Sequence, residues 1–426
     1  MSTRRGLALA AALALGACSR APAPALLPAA QPAVAAPTFS YADERAAAEA
    51  TVAEARAAIA HGPVVWPQWD TVARAELALA QLTADYALYT AAGQSLDKAF
   101  ALAGQGGPYL SRARYNVTVH RLDRVEADLR LANSGSDPDV VGIQALRADL
   151  AFYRGHYDEA LAGYRAVLER REDVPSLTRL ALWHGHMGHL SEALALLDRA
   201  DAIYHGDSPH PRAWLALQRG LLYLDRGRWD LALAHYQHAL RLLPGWWLAR
   251  EHVAEIHALQ GEADTARAEY AEIIHETENP EFMDAMARLL RERGDAPGAD
   301  GWIQRARALY ETRLAALPEA TYGHGLDHFL QFGTPAEALA LARKNHTLRP
   351  NGDAQIQLID ALLHAGLANE AERLTRTALA SGWRSAKLHA AAARAFAAAG
   401  RISEAAAQVA LAKALNPRSA QQYGLP

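Results

Sequence analysis

From Ser40 to Pro417 the chain carries apolar residues at helical spacing almost without interruption, broken by short polar turns. Within this pattern a glycine followed five residues later by an alanine recurs eight times, as Gly155/Ala160, Gly188/Ala193, Gly227/Ala232, Gly261/Ala266, Gly294/Ala299, Gly333/Ala338, Gly366/Ala371 and Gly400/Ala405. The glycines are spaced by 33, 39, 34, 33, 39, 33 and 34 residues. Glycine suits the end of a first helix because it accepts positive φ in the turn. The alanine suits the point where the second helix crosses the first, since a larger side chain would force the two apart. Gly220, Ala254, Ala148, Ala181, Ala287 and Ala393 supply the matching small position on first helices, and Pro244, Pro350 and Pro417 stand where a proline stops the second helix. Glu159, Glu192, Glu337, Glu370 and Glu404 precede the alanine, at a favourable place near a helix N-terminus. The pattern predicts tandem helical pairs over residues 138–417 and an all-α fold.

Two of the spacings are long and imply insertions. One is the turn-rich Tyr204–Pro211 stretch, and the other lengthens a second helix from Ala299 to Leu317. Upstream, in the divergent region 40–137, helical segments such as Ala73–Ala91 and Ser111–Leu131 are broken at Gly93, at Gly104–Pro108 and at Gly135. One or two degenerate pairs are expected there, closing the array's first face. The last helix is alanine-rich, as suits a partly exposed end, and 418–426 reads as a tail.

A period near 34 residues with these glycines, alanines and prolines resembles the tetratricopeptide repeat, a helix–turn–helix unit. The resemblance implies an α-solenoid, a right-handed superhelix whose concave groove is lined by the first helix of each pair. Placed on this chain by the glycine register, the groove positions are Asp149, Tyr153, Trp214, Asp225, Glu251, Glu255, Asp284, Arg288, Arg291, Asp327, Gln331, Asp360, His364 and Arg394. They are mixed in sign with an acidic majority. The family's carboxylate clamp needs Lys and Asn where this chain has Thr178 and Leu182, Leu217 and Leu221, and Glu251 and Glu255, which argues against chaperone tails ending in Glu-Glu-Val-Asp. What remains implied is a non-catalytic scaffold holding a protein or peptide partner.

At 426 residues the chain exceeds one growing core, and 51% hydrophobic residues give a mean hydropathy of only −0.13 because so many are alanine. The formal charge of −4, with no run of Lys or Arg, argues against a nucleic-acid partner. The single cysteine, Cys18, excludes an intrachain disulfide. It ends a basic start, a short apolar run from Gly6 to Leu15 and the small residues Gly16-Ala17, the parts of a signal peptide over 1–18. Leu15-Gly16-Ala17-Cys18 resembles the bacterial lipobox, which implies that Cys18 is acylated and becomes the first residue of the mature protein. Three acyl chains would anchor firmly, and Ser19 after the cysteine favours the outer membrane, facing the periplasm. Arg4-Arg5 hints at twin-arginine export. Residues 19–39, with five prolines among alanines, read as an extended tether.

Signatures of nucleophile, phosphate loop and dinucleotide binding are absent from the sequence, so no enzyme and no cofactor is expected. The 18 histidines are the unusual count. His184 and His186 are two apart and would point to opposite sides of a helix, whereas His324 and His328 share a face with Asp327 beside them and are weak metal candidates lacking a third ligand. A metal- or small-ligand-handling protein is the alternative function. Trp183 and Trp229 read as core. Trp246-Trp247, with the Tyr204–Pro211 insertion, frame the expected contact patch near the middle of the chain.

Overall fold

A computed structural model describes residues 39–61, 64–104, 106–135 and 138–425. The signal segment, Cys18 and all of the tether but Phe39 lie outside the described residues. Among these there are 22 helices and no strand. None is long and apolar enough to cross a membrane.

The first helix, α1 (Tyr41–Ala60), leads into two pairs, α2 (Trp66–Thr83) with α3 (Tyr86–Ala103) and α4 (Tyr109–Thr118) with α5 (Leu122–Asn133). The eight glycine–alanine units then form α6 (Val140–Tyr153) with α7 (Tyr157–Arg170), α8 (Val174–His186) with α9 (Leu190–Ile203), α10 (His210–Asp225) with α11 (Trp229–Leu242), and α12 (Trp247–Leu259) with α13 (Ala263–Thr277). They continue as α14 (Pro280–Glu292) with α15 (Ala296–Ala316), α16 (Pro318–Phe332) with α17 (Pro335–Leu348), α18 (Gly352–His364) with α19 (Ala368–Ala380), and α20 (Ala386–Ala398) with α21 (Ile402–Leu415). A short α22 (Ser419–Tyr423) ends the array. The protein is an all-α solenoid of helical pairs.

The crossing-point alanines are buried in every unit, seven of them completely and Ala405 at 8% exposure. On the partner helix, a Cβ at Gly220 would collide with the Tyr236 ring, so the small position is a steric demand. Seven of the eight glycines turn the chain with positive φ, and Gly333 departs: its φ of −95° and ψ of −169° are extended. There the turn is made by a capping box between Thr334 and Glu337, with Pro335 opening α17. The Ala299 insertion appears as a 21-residue α15. The Tyr204–Pro211 insertion is shorter than its sequence suggests, because His210 and Pro211 already form the first turn of α10.

The divergent region corrects the sequence reading. Ala73–Ala91 is not one helix: it breaks at Ala84, and α4 gives way to α5 at His120, two non-glycine residues at φ 55° and 58°. Gly93 does not break a helix. It lies inside α3, where the hydroxyl of Tyr115 presses so closely that a Cβ would sit 2.5 Å from it. The glycine serves helix-to-helix approach there, which a turn signal in sequence imitates.

Beyond the pairs themselves, one superhelical turn closes on the next. Successive pair turns meet the loops between pairs further along the chain, forming a seam. Trp247 Nε1 donates to the Leu82 carbonyl at 3.2 Å, the Tyr41 amide to that of Pro244 at 2.9 Å, and Arg121 pairs with Glu319 at 3.4 Å. A Cβ at Gly155 would lie 3.0 Å from the Pro350 carbonyl oxygen, and the Tyr157 hydroxyl accepts from the Gly352 amide at 2.8 Å. The Arg384 amide donates to the His186 carbonyl at 2.9 Å, and beside it Trp383 stacks on the His186 ring at 4.3 Å. Gly227 abuts Asn416, and Gln421 donates to the Leu259 carbonyl at 2.7 Å. Residues 418–425 are therefore docked, with Leu425 buried against Ala390, Ala393 and Ala412. Trp246 and Trp247 are exposed at 2% and 8%. Neither ring forms an exposed patch on the outer surface, because Leu82 across the seam meets Trp247 and His210 of α10 packs on Trp246.

Gly227 and Gly261 have the same turn conformation, φ 67° and 85°, but only Gly227 faces the seam. Alanine at Gly261 meets open space and is expected to cost about 1 kcal/mol, the strain of a left-handed L-residue. Alanine at Gly227 would strike the side chain of Asn416, which is fully buried and held by the Arg418 amide and Gln422 at 2.8 and 2.9 Å. An added loss of about 1–3 kcal/mol is expected for this overpacking, read as the difference between the two variants in urea unfolding.

Candidate functional site

Because the seam closes the turn, the inner faces of the first helices surround a cavity of ≈ 1470 Å³. Its wall is built by α6, α8, α10, α12, α14, α16 and α18, with Tyr86, Tyr89 and His120 contributed from across the seam. Of the sequence-derived groove residues, Asp149, Tyr153, Trp214, Glu251, Glu255, Asp284, Arg288, Asp327 and Gln331 line it. Asp225, Arg291, Asp360, His364 and Arg394 lie outside this lining. Arg394 binds Asp360 at 2.7 Å and the Tyr423 carbonyl at 2.9 Å, so the terminal helix engages that end of the array. Arg291 is exposed, with its guanidinium over the Phe332 ring at 4.8 Å.

Many polar groups of the wall are paired with one another. Asp149 takes Arg179 through both oxygens at 3.0 Å and the Tyr164 hydroxyl at 3.0 Å. Burial still pushes the Asp149 carboxyl up, against the opposing pull of Arg179. Asp284, 6% exposed, accepts from Tyr310 at 3.2 Å and is 2.8 Å from Nδ1 of the fully buried His328. His324 is 3.1 Å from Glu281. The candidate pair His324/His328 therefore shares a helix but serves two different carboxylates. His184 lies 3.3 Å from His189, and His186 belongs to the seam.

Glu251, His252 and Glu255 are the one group among the described residues whose donor atoms, all within 4.8 Å, could hold a metal ion. His252 Nδ1 lies 3.1 Å from both carboxylates while its ring stacks on Tyr236 at 5.0 Å. Sequence spacing missed His252 because it falls between the groove positions and packs sideways. Burial pushes Glu251 up to about 7. Burial pulls His252 down, but the charge of Glu251 and the bond to Glu255 outweigh it and hold the imidazole at about 9. Both folded pKa values exceed the unfolded ones, so the folded state binds the extra proton in each case. Stability from Glu251 is present below the ordinary carboxylate range and is lost as pH rises to about 7. That from His252 is present below the ordinary imidazole range and is lost as pH rises through about 9. Glu251→Gln is expected to flatten the lower part of this decline and to weaken the upper part too, since its charge helps to hold the imidazole up, whereas His252→Gln removes the upper part, measured as melting temperature against pH.

No family model and no curated protein matches the sequence. Solved structures with a similar arrangement include the Cut9–Hcn1 hetero-tetramer of the APC/C, at 14% identity, 89% of this chain, 81% of that chain and a TM-score of 0.39. A tetratricopeptide repeat protein from Parabacteroides merdae ATCC 43184 aligns at 15% identity over 68% of this chain and 97% of its own, TM-score 0.35. MamA aligns at 18% over 39% and 96%, TM-score 0.32.

Proposed function

We propose that the protein is a non-catalytic scaffold of the tetratricopeptide type that holds an extended segment of a protein partner inside its cavity. In this reading Cys18 carries the lipid anchor, the body faces the periplasm from the outer membrane, and the partner belongs to envelope assembly or secretion. The observation that carries the binding role is the cavity. Its ≈ 1470 Å³ exceeds the roughly 300–1,000 Å³ of small-molecule pockets. Its wall offers Phe152, Tyr153, Trp214, Trp247 and Phe282 for apolar contact. Arg288, Asp327, Gln331 and Asp353 also line it, and none makes a hydrogen bond or ion pair among the described residues. Such groups are free to pair with a ligand's backbone and side chains.

A metal-handling role would rest on Glu251, His252 and Glu255. His252 already bridges the two carboxylates, so the trio is satisfied without an ion. The scaffold reading is tested by crosslinking in intact cells and pull-down of the anchored protein. A partner should be enriched over an unrelated lipoprotein and lost with Asp327→Arg or Gln331→Arg. Absence of any such partner removes the main support. Cys18→Ser should move the protein out of the membrane fraction.

A further inference from the structure

Arg349 closes α17 and turns into the cavity. Its Nε donates to Asn345 Oδ1 at 2.7 Å and its Nη1 is 2.7 Å from His120 Nε2, across the seam. His120 is held neutral, since burial and the neighbouring Arg349 charge push its pKa well below the ordinary range. Both partners of this enclosed guanidinium are therefore uncharged, and no carboxylate lies within ion-pair distance of it among the described residues. Burial pulls even the arginine's pKa down, against Tyr153, Asp353 and Tyr86.

Arg313, from the end of the elongated α15, repeats the arrangement. It lines the cavity, donates to Asn279 Oδ1 at 3.2 Å, lies 4.2 Å over the Tyr86 ring and has no ion-pair partner among the described residues. Tyr86 joins the two: burial raises its pKa, while the charges of both Arg313 and Arg349 pull it down. A competing carboxylate, Glu281, is taken by His324 at 3.1 Å. Charged groups enclosed by protein are normally paired, and a planar guanidinium fork matches carboxylate and phosphate oxygens. We propose that Arg313, Arg349 and His120 form a subsite for an oxyanion, the carboxylate or phosphate group of a ligand lying in the cavity. Resting on the scaffold reading, this adds where the ligand's negative charge is held. The subsite is built from the ends of second helices and a pair turn across the seam, so it exists only in the closed superhelix.

The test is calorimetric titration of the full chain with inorganic phosphate and, separately, with acetate, at fixed ionic strength. Saturable binding to one site is expected, and the tighter of the two anions identifies the ligand's group as phosphoryl or carboxyl. Arg349→Gln and Arg313→Gln should each weaken it by about tenfold or more, as loss of a charge-assisted bond requires. Arg343→Gln, an exposed arginine of α17 that pairs with Glu370 and lies outside the cavity lining, should leave it unchanged. Arg349→Lys keeps the charge without the fork and should bind weakly, which keeps the test decisive if the glutamine variant fails to fold. No saturable binding of either anion, or equal loss with Arg343→Gln, overturns the subsite. If neither anion binds while Asp327→Arg still abolishes partner capture, the subsite falls and the scaffold stands. Anion binding with no captured partner gives the reverse.

Discussion

Trp383→Ala is expected to be among the most damaging single substitutions in the protein, costing about 3–5 kcal/mol. Trp383, 3% exposed, sits between α19 and α20, but its ring contacts belong mostly to the preceding superhelical turn. It stacks on His186 and packs within 5.7 Å of Tyr157 and 6.0 Å of Phe152, ring centre to ring centre. From below, Gly352 is so close that any Cβ would collide with the indole. Truncation therefore leaves a cavity bounded by four helices that cannot collapse without moving both turns. Phenylalanine keeps most of the stack and removes an indole N–H that has no hydrogen-bond partner, so Trp383→Phe should cost well under half as much. Urea unfolding followed by circular dichroism gives both values. Equal stability of wild type and Trp383→Ala would mean that the ring does not hold the seam.

Asp284→Ala should cost about 3–5 kcal/mol, for a different reason. The carboxylate joins three helices, accepting the Tyr310 hydroxyl of α15 and meeting Nδ1 of His328 on α16. Its removal strands two polar groups that have no water to turn to, because His328 is fully buried and Tyr310 is 1% exposed. Burial already pushes the Asp284 pKa up despite His328 and Tyr310, so the neutral isostere loses less. Asp284→Asn is expected to cost about 1–2 kcal/mol, since the amide oxygen still accepts one of the two bonds. The thermal unfolding of the two variants should differ clearly. Similar losses would show that charge, more than hydrogen bonding, matters at this position.

The paired-helix architecture was legible because each repeat states its own turn chemistry. Gly227 and Ala232 announce a turn and a crossing whatever surrounds them, and the structure places them so. Ala84 and His120 make the same turn without a glycine, so the divergent pairs could not be placed from the sequence. Gly93 gave a false break because close packing and a turn both demand the absence of a Cβ. The glycine register found nine cavity residues, since inward positions recur once the helix face is set. It could not find His120, Tyr86, Arg313 and Arg349. They face the cavity only because residues 229 apart in sequence, such as His120 and Arg349, meet across the seam, and no repeat-by-repeat pattern records that meeting. Gly227 illustrates both levels. Its turn was readable, but its contact with Asn416 was not.

Closure of one turn on the next is what makes the groove a cavity, and a disulfide across the seam tests it most directly. Gly188 and Arg384 are 196 residues apart in sequence, yet a Cβ on Gly188 would stand 3.1 Å from that of Arg384. Disulfides favour Cβ separations of about 3.5–4.5 Å, which a small shift provides. In full-length protein carrying Cys18→Ser, the pair Gly188→Cys with Arg384→Cys should crosslink nearly completely under mild oxidation when folded, and not in denaturant. Gly294→Cys with Arg384→Cys, whose first position faces open space, is the control. Crosslinking of the native protein no greater than in this control would contradict the closed superhelix.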